Sequence, residues 1–369
     1  SCYLLTQVAR MGSILYLLAL PMNALLGWDI KMIIAVTSVA IIAYSMLGGL
    51  KAVIWTEAIQ GFILIGGAIA CLCVLMFKMP EGPAQVFQIA ITDQKFSLGS
   101  FGSSLTESTF WVCLIYGIFI NLQNYGIDQN YVQRYLTAKS DKQAKFSALF
   151  GGYLFIPVSA VFFMIGTALY AYYKTFPELL PAGVEGDAVL PYFIVHALPT
   201  GLTGLLIASI FAAGMSTVAT SITSSATIIL TDYYARYINK RPTEKQSVRA
   251  LYVSNVLIGI IGIFVALAFL NVESALDAWW ALSSIFSGGM LGLFLLGYIS
   301  KKARNVDAVL GVICGIIVVV WMSLSPIFFK DGFMSEYASP FHANLTIVFG
   351  TIVIFLAGFL SMRLLKTKK

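Results

Sequence analysis

The sequence predicts an all-α polytopic membrane protein with about ten transmembrane helices. Three observations carry this. Of its 369 residues, 59% are hydrophobic and only 11% charged, with a mean hydropathy of +0.86, whereas a soluble domain carries roughly a quarter charged residues. The apolar residues fall into ten stretches near the ~20 residues that cross a bilayer as helix. The loops between those stretches alternate in charge.

The ten stretches are 2–26, 29–47, 52–77, 109–124, 143–173, 202–231, 249–270, 279–298, 306–325 and 343–364. The first contains Arg10 and begins beside Ser1, without an initiator Met or signal-peptide layout, which predicts a piece of a longer protein. The second and third are separated by a turn holding Lys51, and Glu57 lies near the start of the third. The 78–108 loop is polar, dotted with Gly and Ser, and read as extracellular, with no chemistry assigned. The fourth stretch ends in Asn121, Gln123 and Asn124 and runs into Asp128-Gln-Asn-Tyr-Val-Gln-Arg134. Pro157 in the fifth and Gly288-Gly289 in the eighth predict kinks. The sixth holds a run in which seven of the ten residues from Ser216 to Ser225 are Ser or Thr.

Lys51, Arg134 to Lys145, Arg236 to Arg249, Lys301 to Arg304 and Arg363 to Lys369 collect 17 of the 23 Lys and Arg, while the opposite loops hold five basic and eleven acidic residues. The positive-inside rule makes the first set, and both chain ends, cytoplasmic. The net charge of +6 then follows from topology, and no nucleic-acid partner is expected; the expected partner at this point is the bilayer. The five cysteines lie in apolar stretches without metal-ligand spacing and read as buried apolar residues. No sequence feature fixes an oligomeric state.

Two charged residues read as lying within apolar segments, where charge is costly and marks function. Arg10 either binds solute or snorkels to the inner interface, about 13 Å along its helix from Ser1. Glu57 either has such a role or is a carboxylate at a helix start. Amides such as Asn121, Gln123 and Asn124 can line a pocket or simply cap a span.

The hydroxyl run admits two readings. Hydrocarbon gives a hydroxyl no partner, so the run faces protein, water or an ion. The carbonyl of Ala213 lies one turn before Ser216 and Thr217, so three neutral oxygens can converge on one volume suited to a hard cation. Equally, the four-residue spacing of Ala212, Ser216, Thr220 and Ser224 suits close helix packing. Neither His196 nor His342 lies in a span, and no nucleophile, base and acid come together, so an enzyme is not expected.

Three stretches carry a family resemblance: Gly48-Gly-Leu-Lys-Ala-Val-Ile-Trp-Thr-Glu-Ala-Ile-Gln60, Asp128-Gln-Asn-Tyr-Val-Gln-Arg-Tyr-Leu-Thr-Ala-Lys139, and Phe211 to Ser225 followed by Thr231-Asp-Tyr-Tyr234. In order and spacing, over nearly the whole chain, they resemble the sodium/solute symporter family, which includes sodium-coupled sugar, monocarboxylate, vitamin and sialic acid transporters. The resemblance implies a leucine-transporter-like fold of two inverted five-helix repeats plus extra helices, in a single transporter domain. It makes the ten stretches core helices three to twelve and the chain N-terminally truncated, without the first core helices.

It further implies that Ala213, Ser216 and Thr217 are half of the main Na+ site, and that Glu57, Ser216, Thr220 and the position of Ala219 correspond to a second one. The sequence departs from that second pattern, with Glu57 where the members that have the second site carry Asp and Ala219 where they carry a hydroxyl. Arg10 aligns with the arginine that holds the carboxylate in sialic acid transporters, and Asn121 with an asparagine used for sugar hydroxyls. Asn124 replaces the tyrosine gate of sugar transporters, and Trp279-Trp280 stands where they use a glutamine. The expected function is sodium-driven symport of a sugar acid in a bacterial inner membrane. A neutral sugar or monocarboxylate, or an uncoupled channel or scaffold, are the alternatives.

Overall fold

The structure is a computed structural model describing residues 2–184, 186–272, 275, 279, 282, 283, 285, 289–328 and 335–364, with the side chains of 47–57 and of residue 335 left aside. Twelve helices run through the described residues, and no strand occurs among them. They are α1 (Cys2–Leu26), α2 (Ile30–Phe77), α3 (Pro83–Thr92), α4 (Phe110–Ile127), α5 (Gln129–Leu136) and α6 (Asp141–Thr175). There follow α7 (Val189–Ala197), α8 (Thr200–Ile228), α9 (Glu244–Ala268), α10 (Met290–Ile299), α11 (Asn305–Phe328) and α12 (Thr346–Leu364). Eight helical segments are long and apolar enough to cross a membrane, and Ile30–Met46 and Met290–Ile299 are shorter apolar helices. Each of the ten predicted stretches therefore contains apolar helix, although of 279–298 only α10 and isolated residues are described.

Helix starts follow local chemistry. Asp29, Thr109, Ser140 and Thr243 each accept a backbone N–H of the first turn, and Thr243 forms a reciprocal capping box with Gln246, satisfying donors that have no partner within the helix. Two differences from the sequence reading stand out. The second and third stretches belong to one helical run, α2, because backbone helicity continues through 47–57, where the sequence places a turn. The loops also contain α3, α5 and α7, which hydropathy does not mark because each is shorter than a span.

The chain divides into two compact units, 7–97 with 140–276, and 1–6 with 98–139 and 277–369. The first holds two apolar cores. In one, Ala68, Cys71 and Leu75 of α2 meet Ile165 and Leu169 of α6, Phe193 of α7 and Leu206 of α8. In the other, Met11 and Leu15 of α1 meet Ile34 and Ile41 of α2, Val218 and Ile222 of α8 and Ile258 of α9. The second unit packs Val112 of α4 with Met322 of α11 and Ile347 of α12. There Asp307, 0% exposed in the first turn of α11, accepts hydrogen bonds from the Arg304 backbone and guanidinium and from Ser361 Oγ of α12. Asp307 is thus a charge within a span that the sequence reading passes over.

Candidate ion and solute sites

The hydroxyl run stays helical because its side chains bond to their own helix. Ser216 Oγ and Thr217 Oγ1 both donate to the carbonyl of Ala213, each at 2.9 Å. Three neutral oxygens therefore do meet in one turn of α8. Each hydroxyl spends its single proton on that carbonyl, so its lone pairs stay available as acceptors, which is what a cation requires. Ser216 is buried and Thr217 half-buried. Among the described residues no group of three or more His, Cys, Asp or Glu comes together, so neutral oxygens are the ligand chemistry this turn offers.

Close packing fixes the same turn. A Cβ built on Gly214 would lie 2.6 Å from Leu18 Cγ and nearer still to both of its methyls, so α1 and α8 approach at the residue next to Ala213. The oxygen cluster and the Gly214 contact thus lie in the same turn of α8. One turn on, Thr220 Oγ1 donates to the Ser216 carbonyl at 2.9 Å and has further interactions. Ala219 is 1% exposed and packs in the apolar core. The side chain of Glu57 lies outside the described residues.

Arg10 lies on α1 and is half-buried, eight residues, or about 12 Å, from Leu18 along the helix. Its carbonyl accepts from Ser13 Oγ at 3.0 Å, and its guanidinium makes no ion pair among the described residues. The amides of α4 belong to the other unit and do not share a face. Asn121 is exposed and donates back to the Gly117 carbonyl at 2.8 Å. Gln123 is 4% exposed, with Oε1 unpartnered among the described residues, while Asn124 is half-buried. Residues two apart on a helix point nearly oppositely, so Asn121 and Gln123 cannot address one solute from one face. Trp279, also in that unit, buries Nε1 without a described partner, and Trp280 lies outside the described residues.

Outside the spans, Asp93 accepts from Lys174 and from Tyr170 Oη at 2.9 Å. The Lys174 hydrogen bond, then that of Tyr170, holds the Asp93 carboxyl below its ordinary range. Lys95 lies 4.0 Å over the Tyr170 ring. This corner ties α3 to α6.

Comparison with known proteins agrees with the fold. The profile of the sodium:solute symporter family matches residues 2–315. The sodium/sialic acid symporter SiaT of Proteus mirabilis is 35% identical over 324 residues, 86% of this chain and 65% of its own length. The sodium/sialic acid symporter NanT of Aliivibrio fischeri is 32% identical over 368 residues, covering 99% of this chain and 70% of its own. A solved structure of a Na+-coupled sialic acid symporter, substrate-bound and outward-open, superposes with a TM-score of 0.84 at 30% identity, over 98% of this chain and 73% of that one. The chain belongs to the sodium:solute symporter family. It is an integral membrane protein of a transporter family, not an enzyme. It spans just under two thirds of the length of the Proteus mirabilis relative.

Proposed function

We propose that this chain is the core of a sodium-coupled symporter that moves a sugar acid, sialic acid or a close relative, by alternating access. The observation that carries the reading is the turn in which Ser216 Oγ and Thr217 Oγ1 each lie 2.9 Å from the Ala213 carbonyl oxygen. Those oxygens would supply part of a neutral cage for Na+, and a neutral cage suits an ion that must be released again. Thr220, one turn further, and Glu57 are the residues for a second ion. Arg10 would hold the solute carboxylate through its fork of donors. Asn124, Asn121 and Gln123 are the candidates for solute hydroxyls, with Asn121 and Gln123 serving different faces of α4. The relatives named above are sialic acid symporters, which supports the substrate class. The bacterial inner membrane, both chain ends on the cytoplasmic side, and one transporter domain comprising both units complete the reading.

The test is uptake into proteoliposomes by the protein carrying this chain, driven by an inward sodium gradient and screened over sialic acids, neutral hexoses and short monocarboxylates. Sodium-dependent accumulation of a sialic acid is expected. Uptake of all three classes without sodium dependence would overturn it.

A further inference from the structure

The hydroxyl run of α8 contains two residues that break its own pattern. Ser216, Thr217, Thr220, Thr223, Ser224 and Thr227 all donate to a carbonyl three or four residues back. Ser221 and Ser225 do not. They are 1% and 0% exposed, and neither Oγ has a partner among the described residues. A buried hydroxyl that could bond to its own helix and does not is turned toward something else.

A neighbouring helix brings a matching orphan to the same level. A Cβ on Gly259 of α9 would run into the Ile42 side chain of α2 and lie 3.9 Å from Ile222 Cδ1 of α8, so the three helices meet there. Asn255, 5% exposed with Oδ1 unpartnered among the described residues, is one turn before Gly259 on the same face. Ser221 and Ser225 flank Ile222. Since α9 also packs on Ile229–Ile238, the π-helical continuation of α8, the two helices run antiparallel, and Asn255 comes level with Ser225. Three polar side chains, each more than nine-tenths buried, thus lie within about one turn of that contact.

We infer that Ser221, Ser225 and Asn255 enclose a binding site for an ordered water cluster between α8 and α9. The chemistry of the set selects water over a cation. Two hydroxyl protons need acceptors and the Asn255 Oδ1 needs a donor; water does both, whereas a cation would leave the protons unmet. Leaving the groups dry costs their desolvation, and a water shared by the two helices removes that cost where no direct bond reaches. The site is distinct from the Ala213, Ser216, Thr217 turn, and its existence does not depend on the sodium reading.

Radiolytic footprinting tests it on the purified chain in detergent, because ionised internal water oxidises side chains that bulk radicals cannot reach. Met11 and Ile222, 0% and 1% exposed in the same core, are expected to be oxidised in the native chain. In a Ser221→Ala, Ser225→Ala, Asn255→Leu triple variant they are expected to be protected at least severalfold. No oxidation of either residue in the native chain overturns the site, as does equal oxidation in a folded triple variant. Single variants read the sign independently. With water present, Ser225→Ala and Asn255→Leu each lower the melting temperature by stranding its other partners; if both raise it, the groups are dry and the inference fails.

Discussion

Replacing Gly214 by Ala tests whether the approach of α1 positions the oxygen turn beside it. The new Cβ would sit 2.6 Å from Leu18 Cγ and closer to both of its methyls, distances real Cβ contacts do not show. Leu18 is 3% exposed and has little room to withdraw, so the clash must move a helix or force a poor rotamer. Overpacking of this kind costs about 1–3 kcal/mol, roughly a five- to 150-fold loss in the folded-to-unfolded ratio. Because Ala213 is the next residue, the displaced α8 should also lose sodium-dependent uptake. Leu18→Ala alone opens a cavity and costs about 2–5 kcal/mol. In the double variant the added methyl fills part of that cavity, so the two losses should fall short of their sum by about 1 kcal/mol or more. Thermal or denaturant unfolding of the four proteins in one detergent, beside uptake, measures this cycle. Strict additivity, or a Gly214→Ala protein as stable as the native one, would refute the close contact as the determinant.

Ser216→Ala and Thr217→Ala should each abolish sodium-coupled uptake by the protein carrying this chain while expression stays near normal, since a methyl still fits the helix contact but removes an ion ligand; unchanged sodium dependence in both would return the run to packing alone. Arg10→Ala should remove anion uptake, and because a carboxylate carried with one sodium moves no net charge, the transmembrane potential, worth about 2.3 kcal/mol per charge per 100 mV, should not drive it. Sustained inward current per anion on a supported membrane would show instead a second coupled ion. Asp93→Asn should lower stability slightly at neutral pH. The native carboxyl is held below its unfolded value by Lys174 and Tyr170, so its contribution is present above an unfolded pKa of about 3.9 and fades as pH falls through the lower folded value. The gap in melting temperature between the two proteins should therefore close on acidification below about pH 4; a gap that widens there would contradict the ion pair.

Apolar length, the alternation of charged loops and the hydroxyl run depend only on what each segment does in hydrocarbon, so they are legible residue by residue. The meeting of the Ala213 carbonyl with Ser216 and Thr217 is likewise local, spanning four residues of one helix, and helical geometry alone predicts it. The opposed directions of Asn121 and Gln123 were open to the same argument, since each helical step turns the side chain by a fixed angle. Glu57 and Trp280 fall where the description stops.

Tertiary structure alone decided the contacts between residues far apart in the chain. Asp307, within the 306–325 stretch, is passed over by the sequence reading; only in the folded chain do Ser361, 54 residues away, and Arg304 close around it. The sequence marks Gly214 only as a small residue; that it admits Leu18 depends on which helix lies opposite. The helices α3, α5 and α7 are too short to be stable by propensity and owe their order to packing. Ser221 and Ser225 have the same spacing and chemistry as their bonded neighbours, and Ser224 is equally buried; only the folded chain shows that their hydroxyls leave the helix's own carbonyls. Sequence by itself settled which segments must leave water and which oxygens share a turn, because both are properties of one helix. Which side chains those helices press together is a property of pairs, and only the folded chain contains it.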